Sequence, residues 1–119
     1  MRTSTLFLFV AVTTFAACGG GDDADSSGLD PSAPVGTLSQ EDATTMCEWS
    51  TTTQGGPGTV HECGDGVTVE IESVGECVTS LADFSDCGLT VGQMEACTLE
   101  LADNPCGFGA ACAPLFECF

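Results

Sequence analysis

The side chains best suited to chemistry lie in one short segment, His61-Glu62-Cys63, and just beyond it at Glu70 and Glu72. A histidine near a cysteine can activate a thiolate or share a metal ion with it. Paired glutamates can perform acid–base catalysis or hold Ca²⁺ weakly. Neighbours along a strand point to opposite faces, so only His61 and Cys63 would share a side. We therefore expect a structural or surface histidine, and glutamates on the solvated side of a two-stranded ribbon.

The remaining composition argues against catalysis. The chain has no nucleophile elbow, phosphate-binding loop, dinucleotide fingerprint or metalloprotease motif. It contains one histidine, no tyrosine and a single basic residue, Arg2, so an active site would have only carboxylates as ready acids and bases. Carboxylates alone can hydrolyse glycosides, but a sugar groove is hard to build with one tryptophan. The sequence predicts that the protein is not an enzyme and has no cofactor.

Charge limits the possible partners. Eighteen Asp and Glu residues against one Lys or Arg give a formal net charge of −17. Binding to nucleic acid requires basic side chains that neutralise phosphates and release counterions. We therefore exclude nucleic acid and other polyanions as direct partners.

Eight of the nine cysteines fall between residue 38 and the C-terminus: Cys47, Cys63, Cys77, Cys87, Cys97, Cys106, Cys112 and Cys118. An even, dense set in a short exported segment is typical of a disulfide scaffold. The spacings contain no Cys-x2-Cys pair and do not resemble a zinc or iron–sulfur site. The connectivity stays open. A Cys77–Cys97 bridge is favoured, and Cys77–Cys87 with Cys97–Cys106 is the alternative.

Local patterns predict the elements that position these residues. Ser39 and Asp42 begin a helix over Gln40–Thr53, with Leu38 and Ala43 as a hydrophobic staple. Residues 59–63 and 67–71 flank a Gly-Asp-Gly turn and predict a β-hairpin that places Val67, Val69 and Ile71 on one face.

Two related segments follow the hairpin. Each begins with a capping box, Ser73 to Glu76 and Thr90 to Gln93, and continues as Cys-x3-Leu-Ala-Asp toward another cysteine. We interpret the two copies as an antiparallel helical hairpin. The tail, residues 104–119, has one acidic residue and is expected to form a short helix buried in the core, with an exposed apolar surface as the alternative. The predicted fold class is therefore small, disulfide-rich α+β, with three to four short helices and one β-hairpin.

The odd cysteine, Cys18, lies where an apolar leader ends. Residues 1–17 combine a basic start, a short apolar run and small residues, which is typical of a signal peptide. The run is too short to span a bilayer as a helix. Residues 19–37 are rich in Gly, Asp, Ser and Pro and predict a disordered acidic tether, whose solvated charges include Asp22, Asp23 and Asp25. The disulfide-stapled domain is expected to occupy residues 38–119.

Phe15-Ala16-Ala17-Cys18 resembles the lipobox of bacterial lipoproteins, in which a peptidase cuts before a lipidated cysteine. The resemblance implies a diacylated or palmitate-bearing Cys18 and a membrane anchor; plain secretion with a free thiol is the alternative. Gly19 follows the lipidation site, which weakly favours the outer membrane over the inner membrane of the cell envelope.

Residues 38–119 resemble cysteine-rich lipoproteins of Gram-negative bacteria through the Glu62-to-Val67 turn and the paired helices. That resemblance implies no particular activity or binding residues. We therefore hypothesise that the protein is a non-catalytic binding or interaction module of the cell envelope. Its partner would be a protein that contacts exposed aromatics, and the side chains available for this are Trp49, Phe108, Phe116 and Phe119. The alternatives are a structural envelope component that binds divalent cations and a secreted hydrolase inhibitor.

Overall fold

A computed structural model describes residues 25–119. The predicted signal peptide (residues 1–17), Cys18 and the tether residues 19–24, with Asp22 and Asp23, lie outside the described residues. The described chain forms four α-helices and one antiparallel sheet: α1 Gln40–Thr53, β1 Val60–Gly64, β2 Val67–Glu70, α2 Val74–Leu81, α3 Val91–Asp103 and α4 Ala113–Phe116. Short 3-10 turns occupy Val35–Thr37, Ala82–Phe84 and Ala110–Cys112. The predicted α+β, disulfide-rich fold class is confirmed.

Helix α1 is the centre of the fold. Its predicted bounds are confirmed, and Ser39 caps it by accepting a hydrogen bond from the Asp42 N–H at 3.1 Å. It buries Ala43, Met46 and Cys47. The charged residues of the first turn instead meet the positive end of the helix dipole. Helix α1 therefore presents one apolar face on which other elements pack.

The β-hairpin forms at the Gly-Asp-Gly turn as predicted. Asp65 (φ 54°) and Gly66 (φ 77°) adopt the left-handed backbone that such a turn requires. The register pairs Val60 with Glu70, and a bulge lies between Glu62 and Gly64. Ile71 is buried but Val67 is exposed, so only the base of the predicted apolar face reaches the core.

Both predicted capping boxes are present, at Ser73–Glu76 before α2 and Thr90–Gln93 before α3. The predicted antiparallel hairpin of these two helices is wrong. Helix α1 packs against both, while α2 and α3 have few contacts with each other. Helix α1 contacts each of them through specific groups: its Cys47 bonds to Cys77 of α2, and its Ser50 hydroxyl lies 3.2 Å from that of Thr98 on α3.

The prediction of a disordered tether up to residue 37 is wrong for the described part from Ser26 onward. Residues 26–35, which we call the N-terminal strap, dock on the helices. Its last residue, Val35, is 1% exposed. At its start, the Ser27 N–H and hydroxyl donate to the buried Glu95 carboxylate at 2.8 and 2.6 Å. The domain thus begins near residue 26 and not at residue 38.

Backbone groups hold the strap in place. The N–H groups of Val91 and Gly92 in the first turn of α3 donate to the carbonyls of Ala33 and Pro31 at 2.8 and 2.9 Å. The first turn of any helix leaves such N–H groups without a partner inside the helix. Composition indicated disorder because the strap has few apolar side chains, but its carbonyls bind donors that lie more than fifty residues away in sequence.

We predict that Gly36→Ala destabilises the domain. A Cβ atom at Gly36 would lie 2.5 Å from the Phe84 carbonyl oxygen and 2.5 Å from the Ser85 Cα, so the backbone would have to move. We expect a loss of about 1–3 kcal/mol in the free energy of unfolding, measured by urea denaturation. The matched control is Gly75→Ala in α2, where a Cβ meets nothing within 4 Å and alanine favours the helix. Equal stability of the two variants would contradict the close approach of Gly36 to the backbone of Phe84 and Ser85.

The eight cysteines of the domain form four disulfides, so the predicted set is confirmed, but both predicted connectivities are wrong. The bonds are Cys47–Cys77, Cys63–Cys106, Cys87–Cys118 and Cys97–Cys112. Because α1 lies against α2, Cys77 meets Cys47 and not Cys97. The latter pairs with Cys112 because the tail folds back along α3.

The expectation of a buried tail is wrong for most of its length. The tail forms the predicted short helix, α4, and buries Cys112. Phe108, Phe116 and Phe119 are 63%, 51% and 86% exposed. The disulfides at Cys106, Cys112 and Cys118 hold the tail on the surface, where Phe108 contacts Phe116 and Phe119 contacts the buried Phe84. Among residues 25–119, no helix has the length and apolar character needed to cross a membrane.

Candidate functional site: a central apolar pocket

A pocket of about 300 Å³ opens between α1, α2 and α3. Strand β2 and helix α4 contribute to its walls. This volume lies at the lower end of the range for sites that bind small organic ligands. The pocket is therefore large enough for a small apolar group.

Most of the inner wall is apolar, built from aliphatic side chains, one aromatic ring and two thioethers: Met46, Val69, Ile71, Leu81, Phe84, Met94, Leu101 and Leu115. Methionine is flexible and polarisable, and it adapts to ligands of different shape. The two methionines of the domain, Met46 and Met94, both line this pocket.

Helical spacing directs these side chains inward. On α3, residues 94, 97, 98 and 101 follow the three- and four-residue spacing of one helix face, and all four line the pocket. On α1, Met46 and Ser50 do the same. The Cys47–Cys77 disulfide joins α1 to α2 beside the pocket and fixes the distance between these two walls.

A polar strip runs along the wall between α1 and α3. The hydroxyls of Ser50 and Thr98 lie 3.2 Å apart and share a hydrogen bond. The Gln54 amide donates to the Ser50 hydroxyl and carbonyl, each at 3.3 Å. These groups satisfy one another, so the strip can contact an apolar ligand without leaving an unpaired donor.

Two exposed glutamates, Glu70 and Glu72, line the rim. Partial burial of the Glu72 carboxyl and the negative charge of Glu76 raise the pKa of Glu72 above its ordinary value. A hydrogen bond with Ser80 lowers that pKa. Hydrogen bonds from the backbone N–H and the hydroxyl of Ser73 hold the pKa of Glu76 below its usual value. The rim therefore carries negative charge at neutral pH, part of it incompletely hydrated.

These two pKa shifts predict opposite pH dependences. A raised pKa means that ionised Glu72 opposes folding, and stability is lost as pH rises through that pKa. A lowered pKa means that ionised Glu76 favours folding, and stability is lost as pH falls through that pKa. We expect Glu72→Gln to be slightly more stable than the parent protein at about pH 7, and Glu76→Gln slightly less stable, with both differences vanishing near pH 3.

Thermal unfolding of the three proteins at the two pH values measures these differences. Glutamine keeps the capping box at position 76, because Gln93 makes the same box before α3. The Glu76 variant therefore tests charge and not helix capping. Identical pH profiles for all three proteins would contradict the described environment of Glu72.

The C-terminal tail closes one side of the pocket through Leu115 on α4. Two disulfides, Cys97–Cys112 and Cys87–Cys118, flank this helix. The Glu100 carboxylate also accepts a hydrogen bond from the Cys112 N–H at 3.1 Å. A helix of four residues is not stable alone, so these covalent and polar contacts hold Leu115 in place.

Of the residues first considered for chemistry, Glu70 and Glu72 both line the pocket rim, whereas His61, Glu62 and Cys63 do not line the pocket. His61 is half-buried on β1 opposite Val69, and Cys63 is oxidised in its bond to Cys106. Glu62 is exposed and lies opposite Thr68 on the hairpin. Within the part of the chain that the structure describes, no three His, Cys, Asp or Glu side chains are grouped to hold a metal ion.

Three of the four aromatics considered for partner binding, Phe108, Phe116 and Phe119, are exposed, and Trp49 is half-buried. The rings of Phe108 and Phe116 meet edge to face, with centroids 5.2 Å apart. Phe119 contacts the buried Phe84 in the same way at 5.7 Å. A protein partner on this surface stays a prediction.

Sequence reasoning missed the pocket, although it placed two of its lining residues, Val69 and Ile71, on the apolar face of the hairpin. The sequence signal for the pocket was the helical spacing of Met94, Thr98 and Leu101, which places side chains of different size on one face of α3. It could not be interpreted without knowing that α1 and α3 face each other.

Comparisons with known proteins give this chain no relative: no family model, no curated protein and no solved structure matches it.

Proposed function

We propose that this protein is a lipid-anchored, non-catalytic binding module of the bacterial cell envelope, most simply at the outer membrane, and that its central pocket receives the apolar part of a small ligand. The observation that carries the binding role is the open pocket itself, with its wall of aliphatic and thioether side chains. Such a cavity lined by a few polar groups is the usual form of a ligand site.

The chemistry of the lining supports binding and not catalysis. Its polar groups are hydroxyls, one amide and two rim carboxylates, and its cysteines are disulfide-bonded. The domain's single histidine, His61, does not line the pocket. Of the pocket's hydroxyls, that of Ser80 interacts with the Glu72 carboxylate, and no histidine or lysine lines the pocket to act as a stronger base for it.

The lipid anchor rests on the lipobox resemblance at Cys18. The strap begins to contact the domain at Ser26. Eight residues of fully extended chain reach at most about 30 Å. A lipid on Cys18 would therefore hold the pocket close to the membrane surface, where apolar and amphiphilic molecules concentrate.

The binding role is tested with 1-octanol as a neutral probe and ¹³C-methyl methionine as the reporter. Cleavage before Cys18 removes Met1, so the mature protein shows the two methyl signals of Met46 and Met94, both on the pocket wall. We expect 1-octanol to shift both signals in a saturable manner. Ser80→Phe places a ring at a lining position and should abolish the shifts.

The matched control is Thr79→Phe, an exposed neighbour on the same helix that does not line the pocket. This variant should bind the probe as the parent protein does. Unshifted methyl signals in the parent protein, or equal shifts in the Ser80 variant, would show that the pocket does not bind apolar molecules.

A further inference from the structure

We infer that the ligand of this pocket carries a positive charge: an apolar body enters between α1, α2 and α3, and an ammonium group remains at the rim beside Glu72 and Glu70. This inference rests on the proposed binding function and adds the chemical class of the ligand. It follows from the charge around the pocket and from the position of Glu72.

The charge of the protein disfavours anionic ligands. Arg2 is the sole Lys or Arg of the whole sequence and belongs to the leader, so the mature domain has no guanidinium or lysine ammonium for a carboxylate or phosphate. The two charged residues that line the pocket are both glutamates. A negative head group at the rim would be repelled by them and by the remaining acidic surface.

Glu72 is the stronger of the two anchors for a cation. Its carboxyl is partly desolvated, and Ser80, which bonds to it, also lines the pocket. The charge of Glu76 acts on the same carboxyl without a neighbouring cation to offset it. An ammonium group here would restore the interactions that Glu72 loses by burial and would screen it from Glu76. Glu70, the last residue of β2, also lines the pocket and adds a second negative charge at the rim.

The apolar wall explains why a bare cation is not sufficient. Mono- or divalent ions alone would contact only the rim, where the described carboxylates do not form a group of three ligands. Burying a short aliphatic chain against the inner wall contributes about 0.8 kcal/mol for each methylene removed from water. An amphiphilic amine therefore fits the whole pocket, because its aliphatic chain contacts the inner wall and its ammonium group contacts the glutamates of the rim.

Three probes with the same chain test the inference: octylamine, 1-octanol and octanoate, each titrated at low ionic strength against the mature protein with labelled Met46 and Met94. We expect octylamine to bind about fivefold more tightly than 1-octanol, and octanoate more weakly than either. The preference for the amine should decrease in high salt, because salt screens charges at a solvent-exposed rim.

Two charge variants locate the effect. Glu72→Gln should bring the ratio of octylamine affinity to 1-octanol affinity close to one, and this ratio is compared within each variant. Glu48→Gln removes the same charge from an exposed position of α1 that does not line the pocket, and it should keep the preference.

The outcomes separate this inference from the proposed function. If 1-octanol and octylamine bind equally, the pocket binds apolar molecules and the inferred charge selectivity is wrong. If octylamine is preferred equally in the parent and Glu72 proteins, the selectivity arises from overall charge and the assigned anchor is wrong. If neither probe shifts the methionine signals, the proposed function and the inference both fail.

Discussion

The double variant Cys47→Ala/Cys77→Ala is expected to lose about 5 kcal/mol in its free energy of unfolding, more than the variant that removes any exposed disulfide. The Cys47–Cys77 bond joins α1 to α2 in the middle of the core, and the two cysteines are 0% and 8% exposed. Small domains have only about 5–15 kcal/mol of total stability, so this variant would be close to unfolded at physiological temperature.

The comparison with Cys63→Ala/Cys106→Ala distinguishes two contributions. The two bonds close loops with sequence separations of 30 and 43 residues. The entropy that each bond removes from the unfolded chain stabilises the fold by about 4 kcal/mol, and the bond that closes the longer loop stabilises it by about 0.3 kcal/mol more. Packing makes the loss of the buried Cys47–Cys77 bond more destabilising, because alanine at two core positions leaves a cavity.

Urea denaturation followed by circular dichroism measures both variants. We expect the core variant to have the lower midpoint by a margin that the entropy of loop closure cannot produce. The reverse order would mean that chain entropy outweighs packing at the centre of this fold, and the described core around Cys47 would need revision.

Replacing Cys18 by serine is expected to release the protein from the membrane completely. Serine has no thiol to accept the lipid, and the lipobox resemblance places processing at this cysteine. Each buried methylene of an acyl chain contributes about 0.8 kcal/mol, so two or more chains give stable anchoring and their loss leaves none. Because the mature chain is acidic, it should not remain on anionic lipid through charge.

Membrane fractionation after a high-salt wash, with mass spectrometry of the purified protein, tests this prediction. The parent protein should stay with the membrane and show a lipid-modified N-terminal cysteine. A suitable control is Asp25→Asn, an exposed residue after the predicted lipidation site, which should not change fractionation. An unmodified thiol at Cys18 in the parent protein would favour plain secretion and remove the anchor from the proposed function.

Several elements of the fold could be predicted because their causes are local. Ser39, Ser73 and Thr90 cap helices through groups three residues away, and the Gly-Asp-Gly turn sets its own backbone angles. The even set of eight cysteines indicated four disulfides before any pairing was known. The charge of the protein and the predicted membrane attachment at Cys18 also depend on composition and short motifs alone.

The candidate site could not be predicted in this way. Met46 and Met94 meet across one pocket only because α1 packs against both α2 and α3, and no local pattern states which helices pack together. The packing of α1 against α2 also brings Cys47 and Cys77 together to form their disulfide. Glu72 was predicted as a solvated ribbon residue, and it is the packing around Ser80 and Glu76 that makes it part of the rim.

Residue types and short motifs are therefore sufficient to predict the fold class, the caps and turns, the number of disulfides and the acidic charge of residues 25–119, which include no lysine or arginine. Each of these features depends on composition or on neighbours a few positions apart. Tertiary structure decided the pairing of the cysteines, the docking of the N-terminal strap on α3, the exposure of the aromatic tail and the existence of the pocket. Each of these joins groups far apart in sequence, and their meeting depends on which apolar faces bury the most surface together.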